Sequence, residues 1–101
     1  MNEQAKQFGF YRGDVLLGHI IPTHEDFPWH YGKFVASADF QSLAHFFETE
    51  LRLLKETQGG AEWDKAYDLI SDVGLRIEPI GPGKIINNPL VHVQGDLIWW
   101  R

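Results

Sequence analysis

The 101-residue chain contains no cysteine, which removes disulfide staples and thiolate metal sites together, since both require a cysteine sulfur. A basic stripe is missing too. Nine Lys and Arg stand against fourteen Asp and Glu, for a formal net charge of −5 and a pI near 5.4. Nucleic-acid readers displace counterions with clustered Lys and Arg, so that class is set aside, and any partner steered here by charge is expected to be basic. Long apolar runs are also lacking. The longest, Val15 to Ile21, is interrupted by Gly18 and His19 and falls far short of the roughly 20 residues that span a bilayer. The opening Met-Asn-Glu-Gln-Ala-Lys-Gln is polar, without the apolar stretch of an export signal. The expectation is a soluble cytoplasmic protein with no membrane contact.

Aromatic residues are abundant: seven Phe, four Trp and three Tyr in a chain that is 44% hydrophobic. That supplies enough large apolar area to order one domain of this length, and dividing it would leave both halves without cores. Residues 1–101 therefore read as a single domain.

Two hairpins bracket the chain. Phe8 to Arg12 and Val15 to Ile21 flank Gly13-Asp14, and Leu90 to Gln94 and Leu97 to Arg101 flank Gly95-Asp96. Gly at the first central position suits a two-residue turn with positive φ. Counting outward from the first turn pairs Phe10 with Leu17 and Phe8 with His19. Counting from the second pairs Val93 with Ile98, Val91 with Trp100 and, on the opposite face, His92 with Trp99. Tyr31 to Ala36 reads as a third strand. Leu43, Phe46, Phe47, Leu51 and Leu54 recur at three- and four-residue steps, which predicts a helix over 40–56 with Asp39 as its N-cap and Glu48 and Arg52 paired on the solvated side. Gln58-Gly-Gly ends it, and a second helix runs from about Ala61 to Val73, with Trp63, Ala66, Tyr67, Ile70 and Val73 on its inner stripe and Gly74 just past its end. Leu75 to Ile80 alternates as a strand, and Ile85-Ile86 forms a brief one. The order βββααβ(β)ββ places this chain in the α+β class: an antiparallel sheet of two hairpins plus further short strands, with both helices on one face.

Near residue 25 the chain reads Thr23-His-Glu-Asp-Phe-Pro-Trp29, and it ends Gly95-Asp-Leu-Ile-Trp-Trp-Arg101. In these two stretches it resembles a family of small bacterial proteins of unknown function, about 100 residues long, that carry an acidic ThxEDFPW-type segment and a terminal GDxxWxR-type hairpin. The resemblance implies a self-standing fold and no activity.

Functional chemistry concentrates between Pro22 and Gly32, a segment with neither helical nor strand period that reads as a loop, the usual seat of binding residues. His24, Glu25, Asp26, Trp29 and His30 are the candidate binding residues there. With His19 just upstream, imidazole and carboxylate ligands suffice in type for zinc or a related ion, so His19, His24, Asp26 and His30 form an alternative metal set. Their spacing matches no metal template, and Pro28 excludes a helix through His30. Glu25 or Asp26 beside a histidine could also serve acid/base chemistry. No catalytic residue is assigned, because Thr23, Ser37, Ser42 and Ser71 sit in no nucleophile turn and Gly81-Pro-Gly83 lacks the spacing of a phosphate loop. No cofactor is implied. Phe27 and Trp29 either anchor a contact or fill the underside of the sheet as part of a lid. Asp64, Asp68 and Asp72 line one side of the second helix and offer a basic protein a second contact. The reading is a non-catalytic interaction protein, monomer or homodimer, working through the Pro22 to Gly32 segment; the alternative is a metal-dependent or acid/base enzyme centred on the same cluster.

Overall fold

In a computed structural model that describes residues 7–101, Gly13 and Gly95 turn the chain at φ +60 and +62, where a side chain would be strained. Each closes a hairpin. The elements are β1 (Phe8–Arg12), β2 (Val15–Asp26), β3 (Trp29–Ala36), a 3-10 turn (Ala38–Ser42), α1 (Ala44–Thr57), α2 (Ala61–Ser71), β4 (Leu75–Pro79), β5 (Ile86–Asn87), β6 (Val91–Gln94) and β7 (Leu97–Trp100). One antiparallel sheet takes all seven strands in the order β5-β4-β1-β2-β3-β7-β6. This is the α+β arrangement expected from clustered strands around a central helical pair.

The terminal hairpin keeps the expected register throughout: Val93 pairs Ile98, His92 pairs Trp99 and Val91 pairs Trp100. Alternation then sends Trp100 into the core while Trp99 occupies the other face. The first hairpin departs from its count after two pairs. Arg12 meets Val15 and Tyr11 meets Leu16, but a bulge follows and Phe10 pairs Gly18, not Leu17, while Phe8 pairs Ile20, not His19. Leu17 and Ile20 lie three apart, so unbroken alternation would put one of them in solvent; the extra residue lets both be buried and leaves His19 exposed.

The Pro22 to Gly32 segment is a second correction. It is no loop: β2 runs on to Asp26, β3 begins at Trp29, and only the cis Phe27-Pro28 pair lies between them. A second bulge between Pro22 and His24 resets the strand period, which is why alternation is invisible in the sequence there.

The first helix starts later than its periodicity suggests. Asp39 lies within the 3-10 turn and caps nothing, and α1 begins at Ala44. The Ser37 hydroxyl donates to the Leu16 carbonyl at 2.8 Å, tying the turn to β2, and Phe40 drops into the core between Phe34 and Phe47. Glu48 and Arg52 form no ion pair; Arg52 instead meets Glu56 at 3.6 Å on the exposed side. Helix α1 ends on Gln58 in the left-handed conformation. In α2, Tyr67 and Ile70 are buried as the stripe requires, but Val73 lies beyond the helix end and is exposed. The core joins Phe10, Leu17, Ile20 and Phe34 of the first three strands to Phe47 of α1, Ile70 of α2 and Val91, Ile98 and Trp100 of the last hairpin.

Candidate functional site

The β2–β3 hairpin brings the candidate binding residues onto one arm, and cross-strand pairing sorts them by face. Asp26 stands opposite Trp29, Glu25 opposite His30, and His24 opposite Tyr31. Since side chains alternate, Glu25 and His30 share one face and His24, Asp26, Trp29 and Tyr31 the other.

On the first face the His30 Nδ1–H donates to Glu25 Oε2 at 3.0 Å. The His30 ring also stacks on Trp100, with centroids 5.5 Å apart. These residues border a cleft of about 340 Å³ lined by Phe8, Pro22, Thr23, His24, Glu25, His30, Tyr31, Ile86 and Trp100. Ile86 comes from the edge strand β5 and Trp100 from β7 near the other edge, so the sheet must curve round for both to wall one space. The cleft is mainly aromatic and aliphatic, with its polar groups at the arm. Trp100 is 3% exposed, and its indole Nε1 is the one buried side-chain polar atom without a partner among the described residues.

The second face is self-contained. His24 lies flat on Tyr31 at 4.5 Å and an interplanar angle of 4°, and its Nδ1 is hydrogen-bonded to Thr23 Oγ1 at 3.1 Å. Tyr31 stacks in turn on Trp99. Trp29 is half-buried against His92 and carries the Arg101 guanidinium 4.8 Å above its ring, a cation–π contact. At the tip, Phe27 is 96% exposed, so it does not fill the underside of the sheet as a lid would require. Asp26 and Glu25 beside it are exposed as well.

The structure brings Glu25 and His30 together and does not gather the metal set His19, His24, Asp26 and His30. His19 pairs with Gly9 and Val35 in the body of the sheet, away from the tip pairs. Among the described residues no three His, Asp or Glu side chains converge on a cation position. The acidic line on α2 is exposed, and Asp72 is engaged by Arg12 at 3.1 Å.

One polar cluster escaped sequence reasoning. Glu50 of α1 and His92 of β6 are fully buried and joined through His92 Nδ1 and Glu50 Oε2 at 2.8 Å, while Trp63 Nε1 donates to the other carboxylate oxygen at 2.8 Å. Tyr67 closes the group: its hydroxyl accepts from the Val91 amide at 2.8 Å and donates to the Pro89 carbonyl at 3.4 Å. Burial pushes the Tyr67 phenol up to about 12, opposed by the Val91 amide bond and reinforced by the Glu50 charge. The signal was present in the pattern. Glu50 stands four after Phe46 and three after Phe47, on the apolar stripe where a carboxylate needs a partner. This cluster knits α1 and α2 to the edge strand β6, and of its members only Tyr67 reaches the wall of a small cleft, formed with Ser71, Leu75, Asn88, Pro89 and Leu90.

No helix among the described residues is long and apolar enough to cross a membrane. Comparisons of the chain with protein-family models, curated proteins and solved structures found no match.

Proposed function

We propose that this protein is a non-catalytic interaction module that engages a protein partner through the β2–β3 arm. The observation that carries the reading is Phe27, 96% exposed at the arm's tip. A phenyl side chain gains roughly 1.5–3 kcal/mol on leaving water, and aromatics of this kind anchor interfaces. Two carboxylates, Glu25 and Asp26, stand exposed beside it on a chain of formal charge −5, which favours a basic partner surface. His24 and His30 stack on Tyr31 and Trp100, and Trp29 packs at a tilt against His92, so the tip is presented with little ordering left to do on binding. The test is affinity capture from native-host extract with the intact chain, Phe27→Ser and Asp26→Ala. Loss of a specific captured protein with both variants, at unchanged circular dichroism, supports the reading; capture that ignores both substitutions sinks it.

The second reading is an acid/base or metal-dependent enzyme on the same arm, and one observation favours it. The Glu25–His30 pair, 3.0 Å apart, stands on the border of a cleft large enough for a small molecule. Zinc titration followed through the histidine NMR signals separates the two: stoichiometric shifts of His24 and His30 favour the enzyme, and unperturbed rings favour the module.

A further inference from the structure

We infer that the cleft beside the arm is a binding site for a small aromatic amine, held in its ammonium form. This goes beyond the contact proposed for the arm's tip, which uses Phe27 and makes no demand on the cleft.

The cleft is the mouth of the curled sheet. Phe8 of β1, Pro22 of β2, Ile86 of β5 and Trp100 of β7 wall it, and its volume is about 340 Å³, at the lower end of small-molecule sites, which often sit in the mouths of β-barrels. A body of one or two rings suits that space. Trp100 meets Phe8 edge-on at 6.1 Å and His30 face-on at 5.5 Å, so an aromatic guest finds walls whose rings are already packed on one another.

Charge selects the guest. Among the described residues that line the cleft, Glu25 is the one carboxylate, and no Lys or Arg stands there to answer it; Arg101 lies over Trp29, on the arm's other face. His30 Nδ1–H occupies Glu25 Oε2, and among the described residues no donor reaches Oε1. An ammonium offers that oxygen its N–H donors, and it brings a positive charge among aromatic rings, whose π-systems attract cations. A carboxylate guest would instead meet Glu25 as a like charge. The attraction is modest, because the Glu25 side chain is 74% exposed and screened by water and salt. The apolar walls therefore supply most of the affinity, and Glu25 supplies the choice of charge.

NMR titration of the isotope-labelled full chain with phenethylamine tests the inference, with phenethyl alcohol and hydrocinnamate as the neutral and anionic counterparts. Phenethylamine is expected to give saturable shifts of the Trp100 indole N–H and of the Phe8 and Ile86 amides, with through-space contacts from its ring protons to the Ile86 methyls. The alcohol binds about five- to tenfold more weakly, and hydrocinnamate more weakly still. Glu25→Gln keeps an acceptor for His30 Nδ1 and lowers the affinity for the amine about two- to fivefold. The same variant leaves the affinity for the alcohol unchanged, a split that a merely structural role of Glu25 would not produce. No saturable shift with the amine, equal affinity for amine and alcohol, shifts that map outside the cleft, or a Glu25→Gln variant that binds the amine as wild type does overturns the inference. Phe27→Ser is expected to bind the amine unchanged, so loss of a captured protein with that variant and loss of amine affinity with Glu25→Gln report separately on the tip and on the cleft.

Discussion

Glu50 Oε2 lies 2.8 Å from His92 Nδ1 in the interior, with the two residues 0% and 2% exposed. A helix and an edge strand are thereby joined by a charge-assisted bond that water does not reach. The second carboxylate oxygen takes the Trp63 indole N–H, so Glu50 serves three elements at once. Breaking such a buried arrangement by removing one partner costs more than the pair contributes, because the remaining polar groups keep their desolvation penalty.

Glu50→Ala is therefore expected to destabilise the protein by about 3–5 kcal/mol, measured by urea unfolding. Glu50→Gln keeps an acceptor for Trp63 Nε1 and should cost clearly less. Equal losses for the two variants would mean that the indole bond contributes nothing.

Tyr67 makes stability fall in strong base. Its phenol is raised from 10.0 to about 12 in the folded state. A raised folded value means that the folded protein holds the proton more tightly than the unfolded chain. The stabilisation is fully present below about pH 10 and is lost as the pH climbs toward 12. Its size is on the order of 2 kcal/mol. Denaturation at a series of alkaline pH values should show this slope in wild type and a reduced slope in Tyr67→Phe, with phenolate absorbance reporting the titration directly.

Arg12 terminates α2 from a distance in sequence. Its Nε donates to the Ile70 carbonyl at 2.7 Å and its Nη2 to the Leu69 carbonyl at 2.9 Å and to Asp72 at 3.1 Å, satisfying orphan acceptors at the negative end of the helix. Arg12→Ala should cost about 1–2 kcal/mol. Arg12→Lys should recover less than half, since one ammonium cannot reproduce the planar fork. Asp72→Asn, whose own side chain is 60% exposed, should change stability by no more than about 0.5 kcal/mol. Thermal melts of the three variants rank them.

Gly18 tolerates no side chain. A Cβ there would sit 2.5 Å from the Val35 carbonyl oxygen and 2.6 Å from the Phe34 ring, in the sheet beside the first bulge. Gly18→Ala is expected to cost about 3 kcal/mol by overpacking, and a well-folded variant with an unshifted melting point would show that the two strands can part more easily than their packing implies.

Phe27→Ser should leave the melting point within the range of neutral surface changes, about 0.5 kcal/mol, because the ring is 96% exposed in the monomer.

Local pattern carried the architecture. The Gly95-Asp96 turn set every pair of the last hairpin, and three-to-four spacing located both helices within a few residues. The same logic stopped at bulges. Leu17 and Thr23 each interrupt a strand's alternation: burial of both Leu17 and Ile20 displaced the Phe10–Leu17 pairing, and the bulge at Thr23 hid the strands within the Pro22 to Gly32 segment. The start of α1 moved for a similar reason: Phe40 is more useful to the core from a 3-10 turn than from a helix.

From composition and periodicity alone came the chain's character as one α+β body without cysteine chemistry, because those properties depend on which residues are present and how they repeat. Tertiary packing alone decided that Glu50 and His92 would face each other, that Glu25 would pair with His30 beside a cleft, and that Phe27 would be left in water. Glu50 and His92 are 42 residues apart, the cleft takes walls from Phe8, Ile86 and Trp100, and the hairpin register at Glu25 and His30 follows a bulge, so no local period encodes where these groups land.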